Sequence, residues 1–135
     1  MTKLYENEPD AAKKTAPLLV VDDDDDSRET LRRQLERHGF EVQEAYDGSS
    51  ALEAIQRQRP SAIVLDLAMR GVSGAELIRL LMTVKSLAKI PVVVVSGSIA
   101  SLEELRSVTG AKIVATLKKP YALDELLATI REHVA

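Results

Sequence analysis

Ala62-Ile63-Val64-Leu65-Asp66 is an apolar run that stops abruptly at a carboxylate. Three other stretches repeat the pattern. Leu18-Leu19-Val20-Val21 runs into Asp22-Asp23, Val92-Val93-Val94-Val95 runs into Ser96, and residues 113–117 lead to Lys118-Lys119-Pro120. Short apolar runs without alternation suit strands buried on both faces. If these are parallel neighbours in one sheet, their ends share a rim. Asp22, Asp23, Asp66, Ser96 and Lys119 then converge on it.

The segments between these runs have helical character. Residues 26–38 place Leu31 and Leu35 at i and i+4, with Arg28, Arg32, Arg33 and Arg37 on the other faces. Asp24, Asp25 and Asp26 are read as acids favoured at that helix's N-terminus. Gly39 suits a left-handed C-terminal cap. Residues 41–46 alternate, which predicts a shorter strand nearer an edge, and Asp47-Gly48 turns the chain. A helix over 49–59 carries Ala51, Leu52, Ala54 and Ile55 and stops before Pro60. Residues 67–73 read as a loop, with Ser73 as N-cap of a helix over 75–84. A fourth strand covers 90–96, with Pro91 at its start. A short helix is expected over 101–108, where Ser101 and Glu104 form a capping box. A fifth strand covers 111–117 and a last helix 123–134. His38 and His133 fall at helix ends and are read as exposed surface residues.

Strand and helix thus alternate five times, which argues a parallel sheet with helices on both faces. A helix of 11 residues spans about 16 Å and a strand about 17–20 Å, so each helix can return the chain across the sheet. Right-handed crossovers then bring the carboxyl ends of the strands to one edge, where ligands of open α/β sheets bind.

The composition bounds the classes. A chain of 135 residues, 45% hydrophobic, is most simply one domain with a substantial core. Aromatics make up 3%, so that core must be aliphatic. Net charge is −3 with no basic cluster, which argues against nucleic-acid contact. There is no cysteine, hence neither a disulfide framework nor a thiolate metal site. No apolar run approaches the roughly 20 residues of a membrane span, and the N-terminus lacks a signal-peptide pattern. The expectation is a soluble, cytoplasmic protein: residues 1–16 a flexible lead-in, residues 17–135 the folded domain.

Three carboxylates on one rim need compensation. Two of them about 4 Å apart repel by roughly 4 kcal/mol at an effective dielectric of about 20. Hard oxygen ligands open on one side favour Mg²⁺, which keeps several waters and recruits phosphate. Lys119 adds a cation and Ser96 a hydroxyl. Lys118 competes with Lys119, but alternation sends its side chain the other way. Carboxylate, Mg²⁺, hydroxyl and ammonium together suit phosphoryl transfer, with a carboxylate as nucleophile.

LLVVDD, IVLDLAMRGVSG, VVVVSGS and LKKPY, in this order and spacing, resemble the receiver domain of bacterial two-component response regulators. The resemblance covers residues 17–134. It implies a flavodoxin-like, doubly wound five-stranded parallel sheet of order 2-1-3-4-5 with five helices. It also implies Asp66 as phosphoacceptor, Asp23 as direct metal ligand, Asp22 as its water-mediated companion, and a metal-binding backbone carbonyl at Ala68. Ser96 would be the switch hydroxyl, Lys119 the phosphate-pairing lysine, and Lys119–Pro120 a cis peptide bond. The implied donor is a histidine kinase or histidine phosphotransfer protein. The output is altered binding of a downstream protein, by a monomer or a phosphorylation-dependent dimer. Such a protein is a self-phosphorylating and self-dephosphorylating switch more than an enzyme. Four departures stand out: Arg70 where proline is usual, Ser73 where aspartate is common, Thr116 where the switch aromatic would sit, and two extra residues between Gly110 and Lys119. They bear on the readout of activation more than on the phosphoryl chemistry. Two alternatives remain: a degenerate receiver acting as a constitutive binding module, and a haloacid-dehalogenase-type phosphatase with Asp22 as nucleophile.

Overall fold

The four apolar segments and the alternating one form one parallel sheet: β1 (Leu18–Val21), β2 (Val42–Ala45), β3 (Ala62–Asp66), β4 (Val92–Ser96) and β5 (Ile113–Lys118), in the order β2-β1-β3-β4-β5. The structure is a computed structural model and describes residues 16–69, 74–98, 103, 105 and 112–134. Among these stand four α-helices, α1 (Asp25–Arg37), α2 (Gly48–Arg57), α3 (Gly74–Met82) and α4 (Leu123–His133), with a 3-10 turn at Leu87–Lys89. Five helices were expected. The fifth, over 101–108 with its Ser101–Glu104 capping box, lies outside the described residues except for Glu103 and Leu105. Ser73 and Arg70 also lie outside them, as do residues 1–15 of the lead-in.

The three central strands β1, β3 and β4 read as almost uniformly apolar because they serve two cores at once. Leu19, Val21, Ile63, Leu65, Val92 and Val94 face α2 and α3, where Ala51, Ile55, Leu77 and Ile78 close one layer. Leu18, Val20, Val64, Val93 and Val95 face the opposite side, with Leu31 and Leu35 of α1 and Leu126 and Ile130 of α4. Fully burying such a side chain contributes roughly 1.5–3 kcal/mol. That burial, more than intrinsic propensity, sustains helices this short.

Local chemistry sets the helix starts. Asp24 caps α1 by accepting from the Asp26 amide, and Asp25 and Asp26 occupy the first turn. Gly39 ends the helix's exit turn at φ +94°, a conformation a side chain resists. Asp47-Gly48 does more than turn the chain. Asp47 caps α2 by accepting from Ser50 N at 2.8 Å, and Ser50 Oγ accepts in return from Asp47 N at 3.2 Å. Gly74 starts α3 pressed onto β3's exit: a Cβ there would lie 2.7 Å from Leu67 Cα and 3.0 Å from the Asp66 carbonyl oxygen.

The register between β4 and β5 slips by one residue. Val92 pairs with Ile113, but Val93 pairs with Ala115. Val114 is the bulged residue.

Candidate functional site

Strand register aligns the carboxyl ends. Val21 lies beside Leu65, Asp66 beside Val95, and Ser96 beside Lys118. The backbone N–H of Lys119 donates to the Ser96 carbonyl at 2.9 Å, so the ends of β4 and β5 are joined at the rim.

Asp66 is 6% exposed and Asp22 7%. Lys119 Nζ donates to Asp66 Oδ2 at 3.0 Å and lies 3.8 Å from Asp22 Oδ2. Asp66 Oδ1 accepts from the Ala68 amide at 3.0 Å, and Asp22 Oδ1 from the Asp24 amide at 2.9 Å. Each carboxylate is therefore oriented by one backbone N–H, and one ammonium bridges the pair. Lys118 is exposed, as alternation requires, and it is Lys119 that reaches the acids.

The electrostatics follow from burial. Desolvation pushes the Asp22 carboxyl above its ordinary range and Asp66 adds to this, while the Asp24 amide and Lys119 oppose it. For Lys119, burial works against the ammonium, but the hydrogen bond to Asp66 and the charges of Asp66 and Asp22 outweigh it, so its pKa is raised. Tyr121 is half-buried two residues on. Desolvation is the main cause that raises its phenol; Lys119 opposes this, and Asp22 and Asp66 add to it.

Ser96 is fully buried but does not point its hydroxyl at Asp66. Its Oγ donates to the Ser98 carbonyl at 3.3 Å and accepts from the Ser98 amide at 3.1 Å. Asp23 is half-buried and lines a recess with Asp25, Tyr46 and Asp47. Ala68 is exposed just beyond Asp66. Thr116, at the expected place of the switch aromatic, is exposed on β5. The Lys119–Pro120 peptide is cis. His38 and His133 are exposed, each with Nδ1 2.9 Å from the carbonyl four residues back. The structure thus draws Asp22, Asp66 and Lys119 into one cluster, with Ser96 one strand away and facing its own loop. Among the described residues no three carboxylate or imidazole side chains form a metal cage. The donor set still fits Mg²⁺, which takes one or two carboxylates and fills its shell with carbonyl oxygen and water.

A groove of about 730 Å³ opens beside the cluster, between α1 and the turn into α4. Asp22, Lys119, Ser27, Thr30, Gln34 and Tyr121 line it. Sequence reasoning assigned no role to Tyr121, which lines this groove, or to Arg28, which donates to the Asp22 carbonyl. Arg28 sits among four arginines of similar spacing, and nothing in the one-dimensional pattern distinguishes it.

The family model for the response regulator receiver domain matches residues 18–131. The chain belongs to that family. Among curated relatives, this receiver is 40% identical over 104 residues to the response regulator MprA of Mycobacterium leprae (strain TN), a match covering 77% of this chain and 44% of that protein. The chain therefore spans less than half the length of the curated relatives it matches. Among solved structures, it is similar to a response regulator receiver protein from Pseudomonas putida, with a TM-score of 0.77 and 30% identity over 87% of this chain and 97% of that one. It is also similar to the chemotaxis protein CheY4 of Vibrio cholerae, with a TM-score of 0.76 and 26% identity over 88% of this chain and 98% of that one. The observed sheet order accords with this membership.

Proposed function

We propose that Asp66 accepts a phosphoryl group from a phosphohistidine on a histidine kinase or histidine phosphotransfer protein, and that the acyl phosphate changes which downstream protein binds. The observation that carries this reading is Asp66 itself: buried, oriented by the Ala68 amide, and 3.0 Å from the Lys119 ammonium. An Asp66 oxygen attacks phosphorus as the P–N bond to the donor imidazole breaks. The imidazole leaves with that electron pair and takes a proton from water. Lys119 is placed to follow the charge from the carboxylate to the phosphoryl oxygens. Asp22, Asp23, Asp66 and the Ala68 carbonyl would hold Mg²⁺, which when bound screens the phosphoryl oxygens. Ser96 would leave Ser98 to donate to the phosphoryl group, which couples the acceptor to the β4 loop.

Residues 17–135 are the receiver in this reading, and residues 1–16 a lead-in to it. The helix expected over 101–108 completes the five. A cytoplasmic location and a monomer, or a dimer formed on phosphorylation, belong to the same reading. Among the described residues no helix is long and apolar enough to cross a membrane. As for the phosphatase alternative, Asp66 is the better-placed nucleophile, because Lys119 bonds it and only approaches Asp22.

Incubation with Mg²⁺ and acetyl phosphate, followed by intact mass measurement, tests the proposal. A single phosphoryl adduct is expected on the wild type, lost in Asp66→Asn and on chelation before the donor is added. Equal labelling of Asp66→Asn would move the acceptor elsewhere. No adduct from this donor or from a kinase donor would leave a constitutive binding module.

A further inference from the structure

Arg28 makes three directed contacts from one side chain. Its Nη1 donates to the Asp22 carbonyl at 2.8 Å, its Nε to Glu44 Oε1 at 3.0 Å, and its Nη2 to Asp25 Oδ1 at 2.7 Å. These partners belong to the exit of β1, to the edge strand β2 and to the first turn of α1. The side chain is 14% exposed, whereas that of Arg33 on the same helix is 62% exposed. Glu44 is held in turn by Arg32, whose Nε lies 2.6 Å from Glu44 Oε2.

The contact at Asp22 has a consequence for its neighbour. The Asp22 amide donates to the Ala45 carbonyl at 3.1 Å, and the Asp22 side chain accepts from the Asp24 amide. The Asp22 carbonyl, which begins the peptide unit leading into Asp23, is then fixed by Arg28. Asp23 therefore stands between two anchored residues, in a run of five aspartates whose mutual repulsion would otherwise spread the turn.

We infer that Arg28 is a positioning residue for metal binding, which fixes the Asp22–Asp23 peptide and so the backbone from which the Asp23 carboxylate would reach the metal. This rests on the phosphoacceptor reading above, because it supposes that the rim takes Mg²⁺. Geometry is the essential property. A guanidinium presents separate N–H groups in three directions, whereas a lysine ammonium has the same charge at a single point. Removing groups that orient a ligand rather than bind the metal typically weakens metal affinity about 10–100-fold.

The test is Mg²⁺ titration of the purified protein, followed by calorimetry or by amide NMR shifts and so independent of phosphorylation, on wild type, Arg28→Ala, Arg28→Lys and Arg32→Ala. Arg32→Ala is the control, since it removes a Glu44 partner from the same helix without touching Asp22. The expected result is a Mg²⁺ Kd raised about tenfold in both Arg28 variants and unchanged in Arg32→Ala, with comparable melting temperatures in all three. Labelling by acetyl phosphate should then need more Mg²⁺ for half-maximal rate while keeping most of its rate at saturation. An unchanged Kd in either Arg28 variant, full rescue by lysine, or loss of folding in both would overturn the inference and leave the phosphoacceptor reading intact. No Mg²⁺ binding by the wild type would overturn both.

Discussion

Asp22 carries a cost in the folded state that its neighbours only partly offset. Its carboxyl is pushed up, chiefly by burial. A folded-state pKa above the unfolded value means that the native protein binds more protons through that window. Stability therefore falls as pH rises from the ordinary carboxylate value of 3.8 through the raised one. Asp22→Asn should remove this penalty and stabilise the protein by about 1 kcal/mol at neutral pH, a common gain at functional sites. The gain should fade in acid, as the wild-type carboxyl takes up its proton. Urea denaturation at pH 7 and near pH 4 checks the sign, and Mg²⁺ affinity should drop in the same variant. Ser96 gives a second expectation. Ser96→Ala deletes the hydroxyl that now bonds to the Ser98 backbone. The label should still attach to Asp66, but phosphorylation should no longer alter amide exchange at Gly97 and Ser98.

Elements were legible where one local rule governed them. The apolar runs of β1, β3 and β4 and the heptad-like leucines of α1 and α4 sit within two residues of their expected bounds. The misses left no clear sign in the one-dimensional pattern. The 3-10 turn at Leu87–Lys89 has no cap and little periodicity to announce it. Asp47-Gly48 looked like punctuation because Asp-Gly is a turn dipeptide. Its capping role depended on Ser50 at the third helical position, a serine where a glutamate would have been the familiar sign. Gly74 is a sharper case. Its spacing marks a loop, but the reason for glycine is the approach of α3 to Leu67. Gly74→Ala should destabilise the fold by about 1–3 kcal/mol through overpacking. Because the displaced atoms include the Asp66 carbonyl oxygen, it should slow labelling as well. Denaturation and adduct formation measured on the same sample would show the two losses together.

For the whole molecule, the sequence was sufficient to place the rim, since parallel strands and right-handed crossovers leave one arrangement for their ends. It could name Asp22, Asp66 and Lys119 as neighbours from the apolar runs that precede them. It could not show that Ser96 faces Ser98, or that Arg28 reaches back to β1, because hydroxyl orientation and a long side chain's reach leave no periodic trace. The β5 bulge is a feature only the structure shows. It has a consequence for life at high concentration. β5 is the outer strand on its side of the sheet, with a row of backbone groups that a second molecule's strand could pair with. The extra residue at Val114 breaks the even spacing of that row, and the exposed Lys112 and Lys118 flank it with like charge. A sheet whose centre is almost pure valine and leucine thus ends in a margin too irregular and too charged to seed a growing stack, so copies can crowd together without zipping edge to edge.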